Sequence, residues 1–147
     1  MATTVNAYLT FNGNCEEAFD FYKSVFGGEF AYLGRFRDMP AGSGCDEHAI
    51  PEELKDKIMH MAYAFTPDYL LMGSDTFPPH SPEIVQGNNF TLSICVDTPV
   101  EAKRIFNELS KGGTVHMPLE QTFWAELFGM FTDKFGINWM VNLEKKE

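Results

Sequence analysis

The sequence predicts an α+β fold made of two sequential βαβββ modules that form paired mixed sheets. Three observations lead to this prediction: segments with alternating side-chain character, two amphipathic helical segments that each precede a Gly-Gly pair, and the same order of elements in both halves. We therefore expect a single domain over residues 1–147, with one module at about 1–76 and a second at about 88–147.

The first module opens with a strand and a helix. Residues 5–11, VNAYLTF, alternate between apolar and polar side chains, as a strand with two different faces requires. Asn14 can cap the following helix, Glu17 stands at the capping-box position, and Gly27-Gly28 ends the helix. Its apolar residues recur at helical spacing: Ala18, Phe21, Tyr22 and Val25. Three strands are predicted after it, at about 29–37, 57–66 and 69–74.

The second half repeats this order. A strand is predicted at 89–97, followed by a helix over 99–113 that Asp97 or Thr98 opens. Three more strands are expected near 114–121, 126–133 and 137–143. With an offset of about 84 residues, Ala18 matches Ala102, Phe21 matches Ile105, Tyr22 matches Phe106 and Val25 matches Leu109. A duplicated module explains this match, and the alternative is chance similarity between two ordinary amphipathic helices.

Composition limits the classes of partner and the compartment. The formal charge of −10 and the absence of a Lys/Arg run disfavour nucleic acid and membrane surfaces as partners. No apolar run approaches the roughly 20 residues that cross a bilayer. The three cysteines are scattered without a C-x-x-C pair, which indicates reduced thiols. We expect a cytoplasmic protein.

The ordered segments AYLTFNGNCEEAFDFYKSVFGGEF, KIMHMAYAF, LLMGSD and TFWAELFGMFTDKFGINWMVN together carry a family resemblance. The chain resembles the vicinal oxygen chelate superfamily, which groups glyoxalases, bleomycin-resistance proteins and extradiol dioxygenases. Within it, the chain is similar to the PhnB-like branch, which is also labelled 3-demethylubiquinone-9 3-methyltransferase-like. The resemblance implies paired βαβββ modules that each contribute to a ligand-binding cup, and a homodimer that is either side-by-side or module-swapped.

The cup residues follow from strand parity and from this resemblance. Those that we expect to face a ligand are Asn6, Tyr8, His60, Met72, Ser74, Thr91, Ser93, Trp124 and Met140. Half-polar concave surfaces of this kind are where small molecules bind. Trp124 would form an aromatic wall of the cup, or else pack in the core.

The resemblance also implies four positions for the superfamily's divalent metal ligands. They fall at Asn6, Met72, Thr91 and Met140, none of which is a usual ligand for a hard or borderline divalent ion. We therefore predict no cofactor and no standard metal site, and leave open a divalent metal at a non-standard site. Cys45-x-x-His48 has a ligand-like spacing, but it lacks two further ligands and stands in a loop rich in Gly and Pro.

His60 is the candidate catalytic residue. It is predicted in mid-strand, where the PhnB-like pattern also carries a histidine, and it could orient a ligand or move a proton near neutral pH. The alternative is a hydrogen-bonded core histidine. Asp75 could hold this imidazole or cap the following turn, and Arg35 and Arg37 could meet an anionic group.

Two functions remain open from the sequence. The first is a PhnB-like small-molecule binding protein that lacks the superfamily's usual metal site. The second is a metal-dependent or His60-assisted lyase, isomerase or dioxygenase. The methyltransferase label lacks support, because no glycine-rich loop follows a first strand as such cofactor sites usually require.

The motif at 133–136, DKFG, is predicted to be a hairpin turn that aims Trp139 and Val141 at the apolar layer.

Overall fold

The structure is a computed structural model that describes residues 3–38, 52–76 and 83–145. The chain divides into two compact units, Met1–Ile84 and Val85–Glu147. Each unit contains one helix and one four-stranded mixed sheet, so the predicted α+β class and the repeated βαβββ order are confirmed. No helix within the described ranges has both the length and the apolar character needed to cross a membrane.

The first unit has the predicted order of elements. They are β1 (Ala7–Phe11), α1 (Cys15–Phe26), β2 (Glu29–Arg35), β3 (Ile58–Thr66) and β4 (Tyr69–Asp75). The strands lie in the order β1-β4-β3-β2, with β1 parallel to β4 and the other neighbours antiparallel. The first and last strands of the unit are therefore direct neighbours.

The second unit has the same topology. Its elements are β5 (Leu92–Val96), α2 (Pro99–Leu109), β6 (Thr114–Glu120), β7 (Ala125–Thr132) and β8 (Asn138–Glu144). The strand order is β5-β8-β7-β6, with β5 parallel to β8. The predicted strands agree with the observed ones to within a few residues at each end. Phe90 falls within the predicted strand at 89–97, but it lies before β5 and is exposed.

The N-terminus of α1 corrects the predicted capping box. Asn14 occupies the cap position but makes no capping hydrogen bond through its side chain. Instead, Oδ1 of Asp75, at the end of β4, accepts hydrogen bonds from the backbone N–H of Gly13 at 3.0 Å and of Cys15 at 2.9 Å. Oδ2 of Asp75 accepts from the N–H of Ile58 at 2.9 Å. A buried carboxylate on a distant strand therefore binds backbone N–H groups at the start of the helix, where a local capping side chain was expected.

The buried face of α1 differs from the prediction at one residue. Ala18, Tyr22 and Val25 are buried as expected, but Phe19 is fully buried where Phe21 was expected to be. Phe21 remains half-exposed. The equivalent face of α2 consists, as predicted, of Ala102, Ile105, Phe106 and Leu109.

The C-terminus of α1 is tied to the sheet. Gly27 has a φ of 78°, a conformation that suits glycine, and the helix ends there as predicted. The buried Tyr63 of β3 donates a hydrogen bond from its hydroxyl to the carbonyl oxygen of Gly27. Burial raises the pKa of Tyr63 to about 12.

The N-terminus of α2 shows which of the two predicted residues caps the helix. Thr98 is the N-cap, since its side chain accepts a hydrogen bond from the N–H of Glu101 at 3.2 Å. The helix ends earlier than predicted, at Leu109, with Ser110 as its C-cap. Gly113 lies beyond the helix, and its N–H donates to the carbonyl of Ser110 at 3.0 Å.

The turn between β7 and β8 is confirmed. Oδ1 of Asp133 accepts hydrogen bonds from the N–H groups of Phe135 (2.8 Å) and Ile137 (3.1 Å), and Gly136 has a φ of 90°. Oδ2 of the same buried carboxylate accepts from the indole N–H of Trp139 at 2.8 Å. The turn thereby holds the first buried side chain of β8.

Candidate functional site

Each sheet has one side packed against its helix and an opposite side, here termed the open face. In the first unit, Leu9 and Leu71 are buried on the helix side. Tyr8, Met72 and Ala62 are register partners across β1, β4 and β3, and they lie on the open face. This alternation confirms the predicted parity of the first strand.

Three ring-bearing side chains meet on this open face. Tyr8 and His60 are stacked, with ring centroids 5.7 Å apart and an interplanar angle of 25°. Tyr32 of β2 lies on the other side of His60, also with centroids 5.7 Å apart. We term these three residues the aromatic cluster. Tyr8 and Tyr32 are 48% and 51% exposed, which leaves much of both rings open to a ligand.

Local backbone geometry allows Tyr32 to reach the cluster. Gly34 is the register partner of His60 on β2. A Cβ atom at Gly34 would lie 2.7 Å from the hydroxyl of Tyr32, so the glycine leaves room for that ring. Tyr32 was not among the predicted site residues. The sequence places it in a predicted strand, but only the register shift between Phe30 and Tyr32 shows which face it occupies.

His60 contacts the phenol of Tyr8 through one of its ring nitrogens. Its Nδ1 lies 3.4 Å from Oη of Tyr8, and the tautomer decides which group donates. Asp75, which was predicted to hold the imidazole or cap the next turn, is instead bonded to Gly13, Cys15 and Ile58. His60 is half-exposed on the open face and is not among the buried core residues.

Two further predicted site residues belong to the first unit, one on a strand and one before the first strand. Ser74 is half-exposed on β4 and is the register partner of Thr10. Asn6 was placed on the first strand, but it precedes β1, is exposed, and contacts Thr4 with its amide at 3.5 Å. The ladder begins only at Ala7, where pairing with Leu71 starts.

The open face of the second sheet is organised in rows across the strands. Ser93, Met140 and Met130 are register partners across β5, β8 and β7. A neighbouring row contains Cys95, Asn142 and Phe128, again as register partners. Thr91, predicted on the fifth strand, lies just before β5, whose ladder begins where Leu92 pairs with Trp139.

A chain of polar contacts borders these rows. The hydroxyl of Thr132 donates to Oδ1 of Asn138 at 2.7 Å, and Nδ2 of Asn138 donates to the carbonyl of Gly87 at 3.0 Å. Nε2 of His116 lies 2.7 Å from the same hydroxyl oxygen. Because the single hydroxyl hydrogen is used toward Asn138, Nε2 of His116 must be the donor. Nε2 of His116 therefore carries a hydrogen, a feature that its position in the sequence did not reveal.

Trp124 lies immediately before β7. It is 50% exposed and makes edge contacts with Phe123, at 4.8 Å between ring centroids, and with Phe128, at 5.4 Å. The prediction of a fully packed core tryptophan is therefore wrong. Its free ring surface is compatible with an aromatic wall.

The two arginines singled out from the sequence are engaged by acidic side chains. Arg35 forms a two-pronged pair with Glu16, at 3.0 and 2.7 Å, and the hydrogen bonds with Glu16 raise its pKa further. Arg37 pairs with Asp56 at 2.6 Å. Both guanidinium groups therefore contact carboxylates of the chain itself.

The positions that the superfamily would use for a divalent metal do not fit one. Met72 has Tyr8 as its neighbour, and Met140 has Ser93 and Met130. Thioethers, hydroxyls and a phenol are poor donors for hard divalent ions. Within residues 3–38, 52–76 and 83–145, no three His, Cys, Asp or Glu side chains form a group that could hold a metal ion. Cys45 and His48 lie outside the described residues.

The fold and this arrangement correspond to a known class. The family model described as the Glyoxalase/Bleomycin resistance protein/Dioxygenase superfamily matches residues 4–141, and the chain belongs to this superfamily. The resemblance stated from the sequence is thereby confirmed.

Individual relatives cover nearly the whole chain. It is similar to protein YjdN of Escherichia coli (strain K12), with 32% identity over 146 residues and 97% of each protein covered. It is also similar to the crystal structure of protein PA1353 from Pseudomonas aeruginosa, with 43% identity, a TM-score of 0.83, and 99% and 100% of the two chains covered. A PhnB protein from Bacillus cereus shares the fold, with 23% identity, a TM-score of 0.73, and 96% and 99% covered.

Proposed function

We propose that this chain binds a small, partly apolar organic molecule on the open face of its first sheet. The aromatic cluster of Tyr8, His60 and Tyr32 carries the proposal. Small-molecule sites combine aromatic surface with a few polar groups that fix orientation, and the cluster supplies rings, two hydroxyls and an imidazole. Met72, beside Tyr8, adds a flexible apolar side chain that can adapt to different ligand shapes.

Exposure of the rings supports a ligand rather than a purely structural role. A tyrosine that only stabilised the sheet would gain most by burying its ring, whereas Tyr8 and Tyr32 each keep about half of their surface accessible. Their stiff side chains lose little conformational entropy when a ligand packs against them. The proposed binding requires no metal ion.

The proposal is tested with Nile red, a neutral planar dye whose emission shifts to the blue in apolar surroundings. We expect Tyr8→Leu and His60→Leu to raise its Kd at least tenfold, which corresponds to about 1.4 kcal/mol. Tyr69→Leu is the matched control, because Tyr69 is 69% exposed at the start of β4 and lies outside the cluster. Equal dye affinity in all three variants would contradict the proposal. Native mass spectrometry of freshly purified protein then identifies the bound cellular compound.

A second candidate function follows from one contact. Nδ1 of His60 and the hydroxyl of Tyr8, 3.4 Å apart, form a pair that could pass a proton to or from a bound carbon acid. This is the His60-assisted lyase or isomerase alternative. Hydrogen–deuterium exchange at the α-carbon of 2-oxo acids and α-hydroxyketones, followed by NMR, tests it. Exchange should be faster with wild type than with His60→Gln; equal rates exclude this role for these substrates.

We also propose that the protein is a cytoplasmic homodimer without nucleic acid or membrane partners. Free thiols at Cys15 and Cys95 support a reducing compartment, and the net charge of −10 disfavours anionic surfaces. The exposed apolar side chains of Val115 and Phe123 support association. Light scattering coupled to gel filtration measures the mass directly, and a mass of 16.6 kDa would identify a monomer.

A further inference from the structure

Three methionines form a continuous row on the open face of the second sheet. Met140 of β8 pairs with Met130 of β7, and Met130 pairs with Met117 of β6. Met130 and Met140 lie in a regular stretch of the ladder, so their side chains project from the same face with Cβ atoms about 4.5–5.5 Å apart, and Met117 pairs with Met130 between two register shifts of β6. The flexible thioethers can therefore bring their sulfur atoms together above Met130. We term these three residues the methionine row.

A fourth sulfur lies close to this row. Cys95 is the register partner of Asn142, which is two residues along β8 from Met140. Cys95 therefore shares the open face with Met140 and is its diagonal neighbour across the parallel pair of β5 and β8. Its thiol is free and exposed.

Core packing does not explain where the methionines lie. Met61 is an example of a methionine that packs in the core, since it is fully buried on the helix side of the first sheet. Met117 is 40% exposed, and Met130 and Met140 are half-buried, on a face whose other positions include Ser93 and Asn142.

The chemistry of this donor set is selective. Thioether sulfur is neutral and soft, and it binds Cu(I) and the related ion Ag(I) far better than Mg²⁺, Ca²⁺ or Zn²⁺. Thioethers need no deprotonation, so such binding persists at mildly acidic pH where histidine and cysteine sites lose metal. The net charge of −10 raises the local concentration of any cation.

We propose that the methionine row binds one soft monovalent cation, Cu(I) in the cell, with Cys95 as an auxiliary ligand. The ion would be held by Met117, Met130 and Met140. The proposal is independent of the small-molecule function above, which rests on the aromatic cluster of the first sheet.

The test uses Ag(I) nitrate in chloride-free buffer as a redox-inert probe. The protein carries Cys45→Ser and Cys95→Ser, because free thiols bind Ag(I) by themselves, and its methionine methyl groups are labelled with ¹³C. We expect one equivalent of Ag(I) at pH 6 to shift the methyl resonances of Met117, Met130 and Met140 and to leave that of Met61 in place. Shifts confined to other methionines, or no shift, would overturn the proposal.

Variants then locate the site. Met130→Leu preserves volume and removes the central sulfur, and it should weaken Ag(I) binding at least tenfold. Met61→Leu is the matched control and should bind as before. Restoring Cys95 should tighten binding as pH rises, since only the thiolate ligates. Equal affinity of Met130→Leu and Met61→Leu would show that the row is only an apolar surface.

Discussion

The backbone N–H of Cys15 donates a hydrogen bond of 2.9 Å to Oδ1 of Asp75, across 60 residues of sequence. The first turn of α1 is thus fixed by the last residue of β4. The same carboxylate lies beside the buried thiol of Cys15, whose pKa is raised above its ordinary value by burial and by the negative charges of Asp75 and Glu16. One side chain therefore positions a helix and influences the ionisation of a neighbouring group.

Removal of Asp75 should strongly destabilise the first unit. Asp75→Ala leaves the N–H groups of Gly13, Cys15 and Ile58 without this acceptor, and we expect a loss of about 3–5 kcal/mol in unfolding free energy. Asp75→Asn retains one acceptor oxygen and should lose about 1–3 kcal/mol. Urea unfolding followed by circular dichroism measures both, with the exposed Asp68→Asn as control. A loss from Asp75→Ala no larger than that control would show that the cap is unimportant.

The pair of Asp133 and Trp139 should be energetically coupled. Asp133→Asn replaces one of the two acceptor oxygens with an amide N–H₂ group. Either the indole N–H or the N–H groups of the turn then lose their acceptor. In a Trp139→Phe background the indole donor is absent, and the same change should cost about 1–2 kcal/mol less. A double-mutant cycle in urea, followed by far-UV circular dichroism, measures this coupling. Additive effects would contradict it.

Stability should fall at alkaline pH. Cys15, with an ordinary pKa of 9.0, and Tyr63, with an ordinary value of 10.0 that is raised to about 12, both hold their protons more tightly in the folded chain. The unfolded chain releases these protons first, so these two groups leave the unfolding free energy unchanged below about pH 8 and lower it as pH rises through 9 to 12. Urea midpoints between pH 8 and 11, measured with reductant, test this.

Two variants assign the alkaline effect. Tyr63→Phe loses the hydrogen bond to Gly27 at every pH, at a cost of about 1 kcal/mol, and should show a shallower decline above pH 10. Cys15→Ala should show a shallower decline above pH 9. Unchanged slopes in both variants would exclude these two groups as the source.

The two described cysteines should differ in reactivity. Cys95 is exposed, whereas Cys15 is fully buried and its raised pKa lowers the fraction of reactive thiolate at pH 8. Brief treatment of native protein with iodoacetamide, followed by peptide mass spectrometry, should find Cys95 alkylated and Cys15 unmodified. Urea should remove the difference. Equal labelling without urea would show that the site around Cys15 opens readily.

Features that repeat at short spacing were predictable from the sequence. Alternation in residues 5–11 and 137–143 gave the strands and their faces, and Asp133 with Gly136 gave the turn, because each of these signals is local. The family and its repeated module followed from the order of such segments. These predictions agree with the structure because the periods of strands and helices determine where apolar and polar side chains recur in the sequence.

Features that depend on register were not predictable. Asp75 is the last residue of β4, and nothing near it in the sequence indicates that it meets Cys15 rather than His60. Likewise, the partnership of Tyr32 with His60 depends on a register shift in β2, and the methionine row is scattered along the sequence until the sheet aligns it. Such sites are assembled by pairing between strands, which a single sequence does not specify.

The strand order has a consequence for how the chain is synthesised and engineered. β4 and β8 each form late in their unit yet lie in the interior of a sheet, between β1 and β3 and between β5 and β7. During synthesis, β1 can complete its pairing with β4 only after residue 75 has been made. Until then, its backbone hydrogen-bond donors can pair with other chains. A deletion that reaches back into 138–144 would likewise remove a central strand and separate β5 from the rest of its sheet.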